Sequence, residues 1–135
     1  MAVLSDIRGA LETRLAAMSP NWPTAFENVS FDKPSDGSYQ KATMLPAQSV
    51  GFAGRGSQTK YHGLLNVMVV MAANGSGIGG AEARASLILA QFPQGSSFTN
   101  GSATVTIGQP PYVAKATQTE DEISIPVWIP WFCYI

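Results

Sequence analysis

The sequence predicts an α/β protein of the α+β type: a single mostly antiparallel or mixed β-sheet with two helices, in the order α-β-β-β-α-β-β-β. Two observations predict it. Apolar residues recur at helical spacing near 5–18 and 81–92, while the apolar runs between and after them alternate or are continuous, as strands do. Clusters of Gly, Pro, Asn and Ser separate the runs. The 135 residues suit one core, so 1–135 is expected to form a single domain.

Each element has its own signal. In "SDIRGALETRLAAM", 5–18, Ile7, Leu11, Leu15 and Met18 make one apolar stripe, with Ser5 as the N-cap, Asp6 at the positive end of the helix dipole and Pro20 as the stop. "TAFENVSF", 24–31, and "YQKATML", 39–45, read as strands on either side of the turn cluster "KPSDGS". The segment 47–60, "AQSVGFAGRGSQTK", has no period, three glycines, Arg55 and Lys60 but no acid, and is long for a connection. Residues 61–73 give the longest strand, apolar on both parities between Leu64 and Met71, which predicts cover on both faces. In the second helix Ala81, Ala85, Leu89 and Phe92 share a flank with Ile88 beside them, and Pro93 and Gly95 end it. "SFTNGSATVTI" centres on Asn100-Gly101, a strong hairpin signal. The last strand is 122–135. Pro126 and Pro130 share a parity there, so two donors are missing on one side, which predicts an edge or interrupted strand. An apolar edge invites another chain, so Trp128 and Trp131 are expected at or near a subunit interface.

Composition excludes several functions. Only 13% of residues are charged, about half the usual share, which points to burial in an assembly. The net charge of −1 provides no basic field for nucleic acid. The lone Cys133 excludes an internal disulfide and a cysteine zinc site, and is read as a buried inert thiol. No signal peptide and no run of ~20 apolar residues is visible, so a soluble intracellular protein is expected.

One motif invites a catalytic reading. Gly75, Gly77 and Gly80 match G-x-G-x-x-G between a strand and a helix, the setting in which such glycines hold a dinucleotide pyrophosphate. That fold requires a parallel strand after the helix and an acid about 20 residues on for the ribose. Here a hairpin follows, and 83–119 contains no acid. No Lys-Ser or Lys-Thr follows the glycines, so the lysine-bearing phosphate loop fails too. The glycines read as a strand-to-helix crossover, with no cofactor expected. His62, the one histidine, sits near the start of a strand, the usual setting of a structural or surface histidine. "EDE", 120–122, reads as a solvated turn, and no metal site is expected. The aromatic C-terminus has no interleaved basic residues for stacking bases.

"IRGALETRLAAMSP" with "PTAFENVSF", then "YQKATMLPAQ", "GIGGAEARASLILAQFPQGSSFTNG" and "EISIPVWIPWFCYI", in that order and spacing, resemble the small tail terminator proteins of long-tailed, non-contractile bacteriophages and prophages. The resemblance spans nearly the whole chain. It implies a structural subunit of a homohexameric ring, not an enzyme. The ring caps the head-proximal end of the tail tube, ends polymerisation and provides the surface for head–tail joining. Implied partners are further copies of the chain, the tail tube protein and a head–neck connector protein, with DNA only as passing cargo in the channel and no membrane. The implied place is the virion tail, after assembly in the host cytoplasm. On that reading Arg55 and Lys60 face the ring lumen or the tube. Two alternatives stay open: a head–tail joining or tail-completion adaptor, and, more remotely, a nucleotide-binding enzyme using the 75–80 loop. The aromatic, twice-proline-broken last strand departs from the family pattern.

Overall fold

The two longest apolar runs pair with each other, and the rest of the chain is arranged around that pair. The computed structural model describes residues 3–51, 58–73, 75 and 77–135. Its elements are α1 (Val3–Ala16), β1 (Thr24–Ala25), β2 (Tyr39–Pro46), β3 (Val50–Gly51), β4 (Thr59–Ala72), α2 (Gly79–Gln91), β5 (Ser97–Asn100), β6 (Ala103–Ile107), β7 (Tyr112–Val113), β8 (Thr117–Gln118) and β9 (Glu122–Tyr134). They form one sheet in the order β1-β2-β4-β9-β6-β5, with β3 also on β4 and β7 and β8 also on β9. The pairs are antiparallel except β1 with β2, so the sheet is mixed, as predicted. The strand predicted at 24–31 shrinks to two residues, and three further two-residue strands appear in the loops.

β4 and β9 run antiparallel from Lys60↔Tyr134 to Ala72↔Glu122. Side chains alternate across a strand, so this register sorts the residues into two sets. Leu65, Val67 and Val69 of β4 and Ile123, Ile125, Val127, Ile129, Trp131 and Cys133 of β9 are buried on one face. Ile7, Leu11 and Leu15 of α1, Ala81, Ala85 and Ile88 of α2, and Ala103, Val105 and Ile107 of β6 join them in one core cluster. Both helices therefore cover the same face, α1 over β5 and β6 and α2 over β9 and β4. Each aliphatic side chain buried this way contributes ~1.5–3 kcal/mol.

The position of β9 overturns the edge alternative of the prediction and matches the interrupted one on a single flank. It is a central strand, not an edge, with β4 on one flank and β6, β7 and β8 on the other. The prolines are accommodated because the second flank is built in pieces. β8 pairs at 123–124, β7 at 127–128 and β6 at 131–132, so Pro126 and Pro130 fall in the gaps. Their carbonyls point to this flank, accepting from Ala114 N–H at 3.0 Å and Gly108 N–H at 3.3 Å. A residue's N–H and C=O share a side in an antiparallel strand. The missing donors thus face the broken flank, and the ladder to β4 loses nothing.

Polar side chains tie the two layers together. α1 begins at Val3, so Ser5 lies within the helix and is not its N-cap. Asp6 in the first turn accepts from Ser102 N–H at 3.3 Å and Ser102 Oγ at 3.1 Å, while Asn100 Nδ2 donates to the Asp6 carbonyl at 3.0 Å. The Asn100-Gly101 hairpin is thereby held against the helix. The two helix C-termini exchange bonds: Arg14 Nε donates to Gln91 O at 3.0 Å and Gln91 Nε2 to Arg14 O at 2.7 Å. Each satisfies a carbonyl that its own helix leaves unpaired.

Arg84 is 2% exposed. Its Nε donates to Gln40 Oε1 at 3.1 Å and its Nη1 to Pro20 O at 2.6 Å, and its guanidinium lies 5.0 Å over the Trp22 ring. Gln40 Nε2 continues to Thr24 Oγ1 at 3.0 Å. One cation so joins α2, β2, β1 and the segment after α1. At the outer edge of the sheet, Glu27 Oε1 accepts from Arg8 Nη1 at 2.7 Å and from Met44 N–H at 2.8 Å. That carboxylate occupies a backbone donor of β2 that would otherwise recruit a further strand.

Two outcomes follow from these ties. Arg84→Ala leaves Gln40 and Pro20 without their donor in the interior and should cost roughly 3 kcal/mol, read as a lowered urea midpoint; Arg84→Lys, which lacks the planar fork, should recover only part. The Arg8 hydrogen bond, with the Met44 N–H, holds the Glu27 carboxyl below the ordinary carboxylate range. A lowered folded pKa stabilises above the unfolded value of ~4.3 and is lost as pH falls through the folded value. Burial raises the Glu12 carboxyl, which has the opposite sign, and that burial remains in both proteins. Glu27→Gln should therefore be less stable than the natural protein at pH 7 and close to it at pH 2 to 3, measured by urea unfolding at each pH.

Candidate assembly surface

The register that builds the core leaves a second face without a helix. Tyr39, Lys41, Thr43 and Leu45 of β2 lie on it, opposite Val70, Met68, Asn66 and Leu64 of β4, which in turn face Ser124, Pro126, Trp128 and Pro130 of β9. Tyr112 of β7 pairs with Trp128 and continues the row. Leu45 and Tyr112 are exposed, at 42% and 49%. Leu64, Met68, Pro126, Trp128 and Pro130 are half-buried. The Phe31 ring packs 5.3 Å from Tyr39 and Lys33 Nζ bonds Glu122 Oε2 at 2.8 Å, so the 26–38 segment closes one end of the face. At the other end Lys60 Nζ lies 5.2 Å over the Phe132 ring and 5.8 Å over Tyr134. Cover on both faces of β4, predicted from its sequence, is therefore complete on the helix side and partial here.

In the middle of this face is Asn66, 8% exposed. Among the described residues its Nδ2 has no hydrogen-bond partner. A buried donor left unpaired costs ~1–3 kcal/mol, a cost that a partner supplying an acceptor would remove. A flat apolar surface of aromatic and aliphatic side chains with one central amide can bind another protein surface.

The predicted site residues separate. Trp128 and Lys60 lie on this face. Trp131 does not: it points to the helix side and is 2% exposed, because its odd parity is that of the core. Its Nε1 has no partner among the described residues, and it borders a cleft of about 360 Å³ together with Leu4, Pro46, Tyr61 and His62. Arg55 and most of the glycine-rich part of 47–60 lie outside the described residues. Asn66, Met68 and Tyr112 were not singled out from the sequence. The signal for the first two was present: they share the parity of Trp128 once the β4–β9 register is known.

The other candidates stand as follows. Gly75 and Gly77 take φ of +80° and +90°, which glycine adopts without strain, so these residues serve the backbone path from β4 to α2. β5, the strand after α2, runs antiparallel to β4 and lies at the far edge of the sheet, so the parallel crossover of a dinucleotide fold is not formed. The cavity beside these glycines, about 420 Å³, is bordered by Ile78, Gln118 and Ile123 and by no charged side chain among the described residues. His62 Nε2 bonds Gln48 O at 3.0 Å. Cys133 is buried, which pushes its thiol pKa up and away from nucleophilic use. Among the described residues no group of three His, Cys, Asp or Glu is placed to hold a metal ion, and no helix is long and apolar enough to cross a membrane.

No curated protein sequence matches significantly. A solved structure that carries only an identifier for a name superposes with a TM-score of 0.81 at 27% identity, covering 98% of this chain and 96% of that one. A chain in the virion of a native gene transfer agent particle shares the fold at 15% identity, with a TM-score of 0.62, covering 99% of this chain and 98% of that one. A family model described as phage tail terminator protein matches residues 6–131. With that match over nearly its whole length, the chain belongs to the phage tail terminator family, a family of structural phage tail proteins.

Proposed function

We propose that this protein ends tail growth by forming a closed ring, a homohexamer, on the head-proximal end of the tail tube, and that the ring then presents the surface for head–tail joining. The observation that supports it most is the family match over 6–131. The geometry is in keeping with it: the described residues leave uncovered a broad, largely apolar sheet face suited to protein contact. A growing tube exposes the same surface after every ring added. A cyclic ring of identical subunits matches that surface, and its far side differs, so growth stops. The work is binding, with no bond made or broken and no cofactor. Its partners are the tail tube protein on one side and a head–neck connector protein on the other. It acts in the host cytoplasm during assembly and stays in the virion tail. Arg55 and Lys60 belong to the end of the subunit that faces the channel, where passing DNA meets cations in a salt-dependent way.

Deleting the gene should give tails of irregular, excessive length that do not join heads, and purified protein should restore joining; electron microscopy measures both. Tails of normal length that still fail to attach would make this an adaptor instead. In an image of the assembled ring, Lys60 should lie at the channel wall, and finding it on the outer rim would refute the lumen assignment.

A further inference from the structure

The open sheet face is not the chain's only uncovered apolar surface. On α2, Ala83, Ser86, Leu87 and Ala90 are all exposed, Leu87 at 44%. They fall at i, i+3, i+4 and i+7, one continuous stripe on the side of the helix away from the core. The outer face of a surface helix is ordinarily polar and charged. Here its one charge is Glu82, because Arg84 turns inward. The stripe and the open sheet face lie on opposite sides of the same two-layer subunit.

We propose that the α2 stripe of one copy packs on the open sheet face of the next, so that copies join front to back. The inference rests on the ring reading above and names the surfaces that build the ring. Opposite faces of one subunit that complement each other make a head-to-tail contact, which closes into a ring when the rotation per step allows. A sheet covered by helices on both faces is a stable layering, and the second helix layer then comes from the neighbour. Charge agrees. The open face carries Lys41, which no acid pairs among the described residues, and Glu82, likewise without a salt bridge among them, flanks the stripe. Size is compatible as well: the uncovered part of β2, β4, β9 and β7 measures about 30 Å by about 20 Å from strand rise and spacing, room for a 13-residue helix ~20 Å long and ~10–12 Å wide. The contact also places polar groups of α2, among them Ser86, against the sheet that holds the unpaired Asn66 amide.

Cysteine pairs test the contact. Cys133 is buried and stays in place. Leu87→Cys is combined with Thr43→Cys, and separately with Met68→Cys, and each protein is oxidised both purified and in isolated tails. The expected result is a reducible ladder of covalent multimers ending at the size of the ring. The single variants should remain uncrosslinked. Dimers from Thr43→Cys or Met68→Cys alone would show that open faces meet each other, and no ladder from either pair would show that another surface joins the copies; both results overturn the proposal. Leu87→Arg, an exposed change that leaves the core intact, should keep the melting temperature of the subunit while abolishing the ladder's parent ring in light scattering. An intact ring with this variant would also overturn it. Tail length is read apart from these outcomes: a ladder formed by a protein whose deletion leaves tails normal would retain the contact and remove the terminator role.

Discussion

The antiparallel ladder between β4 and β9 is the constraint on which the structure depends. Thirteen residues of each strand are in register, and that register alone assigns every side chain of the centre to one of two faces. A slip of one residue would exchange the faces, sending Ile125, Val127 and Ile129 outward and Pro126, Trp128 and Pro130 under the helices. The helices give the register its energetic preference, since only the odd residues of β9 fit against Leu11, Ala85 and Ile88 as an unbroken apolar layer. The prolines reinforce it from the other side: in the gaps between β6, β7 and β8 they need no donor.

Around that ladder the layers are held by a few polar contacts between elements distant in sequence. Arg84 is the costliest of these. A guanidinium taken out of water loses hydration, and here neutral acceptors and an aromatic ring replace it without a carboxylate. Burial accordingly lowers its pKa. In return the cation fixes the angle of α2 on the sheet by binding β2 and the segment after α1 at once. Asp6 and the Arg14–Gln91 exchange do the same for α1 against the β5–β6 hairpin and for the two helix ends. Of these contacts only the Arg84–Gln40 pair is fully buried.

The same economy bears on function. A chain with 13% charged residues has little with which to solvate two broad faces, and the uncovered sheet and the outer side of α2 are both largely apolar. Such surfaces in a structural phage tail protein are suited to being covered by other chains. The lone histidine bonds a backbone carbonyl through Nε2 and the lone thiol is buried.

The sequence alone carried the fold class, both helices and the hairpin at Asn100-Gly101, because these depend on local periodicity, turn chemistry and the residues within one short stretch. Its low charge also pointed to burial in an assembly, while the sequence stayed silent on which surfaces are covered. It did not determine which strands were neighbours. Pro126 and Pro130 suggested an edge or an interrupted strand, and the pairing pattern revealed a central strand that tolerates them because the flank that lacks donors is assembled from three short pieces. Trp128 and Trp131 look alike in the sequence and part company in the fold, since an odd separation on a strand sends them to opposite faces. Arg84 reads as one more charge on a helix, yet its partners come from residues more than forty positions away. Periodicity reports what a residue's own element requires; which face is buried, and by what, is decided by pairings distant in the chain.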